Sequence, residues 1–166
     1  MVQVTFRGNP ITLVGDQVNV GEKAPNFTLL SNDLQEKTLD DYKGQTLLIS
    51  VVPSLDTEIC SVQTKKFNDE ASVLQGVKIL TVSMDLPFAQ ARWCGLESVN
   101  NIETLSDHRE ASFGENYGVL IKELRLLTRS LFVVDQDQHI SYVEYVDEVG
   151  THPNYDAVLE HLRNNK

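Results

Sequence analysis

The sequence predicts a mixed α/β domain, one sheet with helices on both faces and a small β-hairpin ahead of it. Three observations carry this. Apolar, β-branched runs at Leu47–Val52, Val77–Met84 and Leu131–Val134 read as strands buried on both sides. Stretches with helical spacing lie between and after them. Ile140–Val146 alternates in polarity after a polar turn at Asp135–Gln138 and reads as a strand returning beside its predecessor. A chain of 166 residues fits one domain, here residues 1–166, with no repeat, linker or low-complexity tract.

In chain order, residues 2–14 read as the hairpin: Val-Gln-Val-Thr-Phe and Ile-Thr-Leu-Val around a Gly8-Asn9-Pro10 turn. A loop-rich stretch follows, with Pro25 and a second turn near Ser31–Asp33. The first long helix is expected over Thr57–Leu74, with Ile59, Val62, Phe67, Ala71 and Leu74 along its inner side and Asp56 as its cap. A shorter helix is expected over Phe88–Leu96, capped by Asp85 with Pro87 in its first turn. Glu110–Tyr117 fits helix or loop, and Pro153-Asn154 introduces a last helix over Tyr155–Arg163.

The composition narrows the function. A hydrophobic fraction of 41% supports a core that needs no staples, and a net charge of −10 argues against nucleic acid as partner. No apolar run reaches the ~18–20 residues that cross a bilayer, and the N-terminus has no signal pattern. The chain is therefore expected in the cytoplasm, which makes Asn26-Phe27-Thr28 a chance glycosylation sequon. His108, His139, His152 and His161 are scattered without metal-ligand spacing and read as surface residues, so no metal is expected. There is no C-x-x-C, no G-x-G-x-x-G, no P-loop and no G-x-S-x-G, so dithiol reductase, nucleotide-binding and serine hydrolase readings lack support.

The two cysteines are the informative residues. The strand ending Val51-Val52-Pro53 runs into the polar turn Ser54-Leu55-Asp56, and the helix begins near Thr57. Cys60 thus falls in the first turn, where unpaired backbone N–H groups and the positive end of the helix dipole favour a thiolate. On position alone it could equally be a small core residue.

Pro53-x-x-x-Thr57-x-x-Cys60 resembles the active-site motif of peroxiredoxins. Three longer strings resemble the thiol peroxidase branch: Pro-Ser-Leu-Asp-Thr-x-Ile-Cys with Gln63-Thr64-Lys65-Lys66-Phe67-Asn68; Ser83-Met84-Asp85-Leu86-Pro87-Phe88-Ala89-Gln90-Ala91-Arg92-Trp93-Cys94; and Arg129-Ser130-Leu131-Phe132-Val133-Val134-Asp135. The resemblance covers nearly the whole chain and implies a thioredoxin-like fold. It makes Cys60 the cysteine that attacks a hydroperoxide and leaves as sulfenic acid, and Cys94 the one that resolves it as an intrachain disulfide. Thr57 would bond the thiolate and the peroxide, Pro53 would shield the site, and Arg129 would favour the thiolate and polarise the O–O bond. It further implies hydrogen peroxide and organic hydroperoxides as substrates, thioredoxin as reductant, a homodimer, and no cofactor. A different reading is a redox-sensing module switched once by a Cys60–Cys94 disulfide. Three residues depart from the pattern: Glu58 beside Cys60, Trp93 where phenylalanine is usual, and Met84 where a smaller residue is common. Arg92 reads as a solvated charge.

Overall fold

The computed structural model describes residues 3–164. The N-terminal strands are β1 (Thr5–Phe6), β2 (Asn9–Pro10) and β3 (Leu13–Val14), followed by β4 (Thr28–Leu30), β5 (Glu36–Thr38) and β6 (Thr46–Val51). Next come helix α1 (Glu58–Ala71), β7 (Val77–Ser83), α2 (Pro87–Leu96), β8 (Glu103–Ser106) and the short α3 (Ser112–Asn116). The chain closes with β9 (Leu120–Ile121), β10 (Leu126–Leu127), β11 (Ser130–Val134), β12 (Ile140–Tyr145) and α4 (Tyr155–Asn164).

The principal sheet has seven strands in the order β12-β11-β6-β7-β8-β4-β5. β6, β7 and β8 are parallel, with Ser50 opposite Thr81 and Val82 opposite Leu105, while β11 returns antiparallel beside β6 and β12 antiparallel beside β11. The three apolar runs and the Ile140 strand take the expected places. Their continuous apolarity follows from burial on both faces. Leu48, Ile79, Leu131 and Val133 face Phe67 of α1 and Val158, Leu159 and Leu162 of α4. The alternate residues Leu47, Ile49, Val51, Leu80 and Phe132 face Phe27, Phe113 and Tyr117. Phe113 stacks on Tyr117 with centroids 4.2 Å apart, and Phe132 meets Tyr117 edge-on at 5.3 Å.

Several expectations need correction. The hairpin is tighter than 2–14: Thr5 pairs with Pro10 and Phe6 with Asn9, so the turn is Arg7-Gly8 and Asn9-Pro10 lie in the returning strand. Arg7 and Gly8 have φ of 52° and 82°, the left-handed pair that a two-residue hairpin turn of the right twist requires. Leu13–Val14 joins β9 in a separate small sheet, and Val2 lies outside the described residues. The loop-rich stretch contains the antiparallel pair β4–β5, and Glu103–Ser106 is a further strand between α2 and α3. Three or four residues with exposed charge at Glu36 carry too little alternation to announce a strand.

The inner side of α1 also differs. Cys60, Gln63, Thr64, Phe67 and Asn68 are buried, whereas Val62 is 46% exposed. Spacings of three and four residues are kept, but Gln63, Thr64 and Asn68, three of the five, are polar. The helix ends at Ala71, although Leu74 beyond it remains buried.

Candidate active site

β6 carries the chain into the site. Val52 N–H still donates to the Val82 carbonyl at 3.1 Å, extending the pairing with β7 to the edge of the turn, and Pro53 behind it is buried. The turn is then held by Asp85. Its carboxylate accepts from Ser54 Oγ at 2.7 Å, from Leu55 N–H at 2.8 Å and from Ser83 Oγ at 2.9 Å. Asp85 is therefore not the cap of α2; Leu86 occupies that position, with Pro87 opening the helix. Asp56 does not cap α1 either, since Thr57 stands at the N-cap and Asp56 is exposed. An Asp before an apolar stretch looks alike in sequence whether it caps its own helix or clamps a distant loop.

Cys60 is the third residue of α1 and is fully buried. Arg129, just before β11 and 2% exposed, lies over it. Its fork has three separate acceptors: Nη2 donates to Cys60 Sγ at 3.3 Å, Nη1 to Gln63 Oε1 at 2.9 Å, and Nε to the Val149 carbonyl at 2.8 Å. Gln63 is fixed in turn by donating to Ser50 Oγ at 2.7 Å. Among the described residues no carboxylate forms a salt bridge with Arg129. A buried guanidinium without a carboxylate is costly unless another anion faces it, and the sulfur of Cys60 is the group in that place.

Thr57 is a different matter. It is exposed, and its hydroxyl donates to the Ser54 carbonyl at 3.2 Å, which closes the turn instead of reaching the sulfur. Glu58 points into solvent, so the carboxylate beside Cys60 does not face it.

Cys94 sits on α2, half-buried, with Sγ 3.7 Å from Thr104 Oγ1. Thr104 donates onward to Asn32 Oδ1 at 3.0 Å. Burial pushes the Cys94 thiol up from its ordinary value, against a smaller opposite effect of the Thr104 contact. A cleft of about 390 Å³ opens beside it, lined also by Asn32, Val99 and Thr104. Both cysteines are free thiols. They border one apolar cluster in which Val52, Leu55, Trp93 and Val99 pack with Cys60, and Cys94 lies against its edge. Trp93 thus fills the cluster, and Arg92 is exposed.

Two residues around the Cys60–Arg129 pair have no signal of their own in the sequence. Gln63 was visible only as part of a matching string, since a glutamine on an inner helical face has no motif of its own. Tyr155 gave no signal at all. Its ring lies edge-on to Phe67 at 5.6 Å, with the Lys66 ammonium 5.5 Å from the ring centre and His152 Nδ1 2.8 Å from its hydroxyl. Burial pushes its phenol up to about 12, and the charges of Arg129 and Cys60 reach it with opposite signs. Of the other histidines, His139 is exposed, while His108 and His161 are half-buried.

Residues 19–159 match the family described as Redoxin. The chain is 59% identical over 162 residues to a thiol peroxidase of Oceanobacillus iheyensis, an alignment that covers 98% of this chain and 99% of that one. A thiol peroxidase of Bacillus subtilis is 56% identical over 160 residues, 96% of each chain. Among solved structures, a peroxiredoxin-like protein from Aquifex aeolicus superposes with a TM-score of 0.93 at 40% identity, over 99% of this chain and 97% of that one. With a thioredoxin-like sheet, a cysteine in the first turn of α1 and an arginine fork upon it, the chain belongs to the thiol peroxidases of the redoxin family.

Proposed function

We propose that the chain works as one domain that reduces hydrogen peroxide and organic hydroperoxides, with Cys60 as the nucleophile and Cys94 as the resolving thiol. The observation that carries this is the Arg129 Nη2 bond to Cys60 Sγ at 3.3 Å, made by a buried guanidinium with no carboxylate partner among the described residues.

The chemistry balances without a cofactor. The Cys60 thiolate donates an electron pair to the nearer peroxide oxygen and the O–O bond breaks. An alkoxide or hydroxide departs and takes a proton, leaving the sulfur as sulfenic acid. Arg129 stabilises the charge that moves onto the leaving oxygen. Pro53 lies behind the turn and shields the sulfur from bulk water. Thr57 would serve the peroxide only after its hydroxyl leaves the Ser54 carbonyl. The Cys94 thiolate then attacks the sulfenic sulfur, forming the disulfide and releasing water. A thioredoxin dithiol accepts the disulfide and returns both thiols. The chain is read as a cytoplasmic homodimer. In support of that compartment, no helix among the described residues is long and apolar enough to cross a membrane, and both thiols are free.

The test is steady-state peroxide consumption coupled to thioredoxin, thioredoxin reductase and NADPH. Continuous turnover with hydrogen peroxide and with tert-butyl hydroperoxide is expected. Formation of one disulfide per chain followed by arrest, with thioredoxin present, would replace the peroxidase with a redox sensor.

A further inference from the structure

One arm of the Arg129 fork does not face the cysteine. Nε donates to the Val149 carbonyl at 2.8 Å, so the orientation of the fork depends on where that carbonyl is held. Val149 lies after the last strand of the sheet, in the connection to α4, where no ladder fixes it. Its N–H donates to the Thr5 carbonyl at 2.9 Å, and Thr5 N–H donates to the Asp147 carbonyl at 2.8 Å. Its side chain, 2% exposed, packs with Val4 and Ile121. The N-terminal hairpin is thus the element against which this connection rests.

A single carboxylate fastens the two together. Glu148 Oε1 accepts from Thr5 Oγ1 at 2.9 Å and Gly8 N–H at 2.8 Å. Glu148 Oε2 accepts from Gly150 N–H at 2.9 Å and Arg7 N–H at 3.3 Å. Arg7 and Gly8 are the left-handed turn residues, whose N–H groups point at the acceptor. The backbone bonds of Gly150 and Gly8 hold the carboxyl below its usual range, as expected of an acceptor ringed by donors.

We propose that Glu148 is a positioning residue of the peroxidase: it locks the hairpin to residues 147–150, and so fixes the carbonyl that aims the Arg129 fork at Cys60. The proposal rests on the reading of Arg129 given above. It assigns the hairpin a part in the peroxide step and none in disulfide formation.

Glu148→Gln is the discriminating change. Each carboxylate oxygen receives at least one backbone N–H, Gly8 at one and Arg7 and Gly150 at the other, so an amide nitrogen on either side faces a donor it cannot accept and loses that bond. In single-turnover stopped flow, the rate constant of Cys60 oxidation by peroxide is expected to fall between about 5-fold and 100-fold, because a small misplacement of a catalytic group has effects of that order. The rate of disulfide formation should stay unchanged. In an Arg129→Lys background, which lacks Nε, adding Glu148→Gln should change the peroxide rate less than about twofold. The same fold loss in both backgrounds would overturn the proposal, because Glu148 would then act by another route. A lowered melting temperature with an unchanged peroxide rate would overturn it too, leaving a purely structural clasp. If Arg129→Lys alone leaves the peroxide rate unchanged, it is the reading of Arg129 that fails, and the proposal with it. Should Glu148→Gln not fold, Thr5→Val removes one donor and leaves the backbone bonds, and should slow the peroxide step about twofold. No slowing there would count against the role.

Discussion

Cys60 and Cys94 border the same apolar cluster, yet their surroundings share little. Cys60 opens a helix of 14 residues, is fully buried and receives a guanidinium at 3.3 Å. Cys94 lies near the end of a helix of 10 residues, half-buried, with only a threonine hydroxyl at 3.7 Å. Leu96, two positions on, is 76% exposed, and Phe88 at the start of the same helix is 68% exposed. In the first a guanidinium donates to the sulfur, whereas in the second burial pushes the thiol up. The contrast fits the successive steps proposed above, with Cys60 reacting where it stands and Cys94 brought into play once the first has reacted.

The sharpest way to break this comparison is to remove each sulfur in turn. Cys60→Ser should abolish peroxide turnover, because the hydrogen-bond contact of the Cys94 sulfur among the described residues is a threonine hydroxyl and not an arginine. Cys94→Ser should still consume about one equivalent of peroxide and accumulate sulfenic acid, detectable by trapping with a dimedone reagent. Near wild-type turnover by Cys60→Ser, measured in the coupled assay, would reverse the assignment.

A smaller effect is expected at Arg129. Lysine keeps the charge but cannot serve Cys60, Gln63 and Val149 at once, which the planar fork does. Arg129→Lys should slow the reaction of reduced protein with peroxide at least about tenfold, or about 1.4 kcal/mol of barrier. A stopped-flow rate within about twofold of wild type would take the arginine out of the site.

The sheet was legible because burial on both faces writes a continuous apolar run, as at Leu47–Val52 and Val77–Met84, whose extents nearly match β6 and β7. Strands such as Thr28–Leu30 and Glu36–Thr38 are too short to leave a period, and the Arg7-Gly8 turn was hidden by a more conspicuous Asn-Pro beside it. At the site, Cys60 and Arg129 were legible through a motif and were brought together by the fold. Asp85 reads in sequence as a helix cap, since a carboxylate that binds a loop 30 residues away has no local signature. Gln63 and Tyr155 meet their partners through tertiary contacts alone, which leave no local signature. The polar inner side of α1 followed the same rule: the site imposed Gln63 and Thr64 where periodicity alone would favour apolar residues.

The comparison also says where the molecule must yield. A disulfide needs Cα atoms about 4.4–6.8 Å apart with sulfurs facing. Here the Cys60 sulfur is turned to Arg129 and the Cys94 sulfur to Thr104. The Asp85 clamp on Ser54 and Leu55 links to α2 through Ser83, which accepts from Gln90 Nε2 at 3.0 Å, so the two segments share one anchor. A short helix with an exposed end is inexpensive to unwind. The most direct measurement is amide hydrogen exchange on the dithiol and disulfide forms of the wild-type protein. Faster exchange in the disulfide form is expected near residues 57–63 and 88–96, with residues 77–82 of the central strand unchanged. Equal protection of both segments in the two forms would contradict the account and would mean that the two cysteines join without leaving their places.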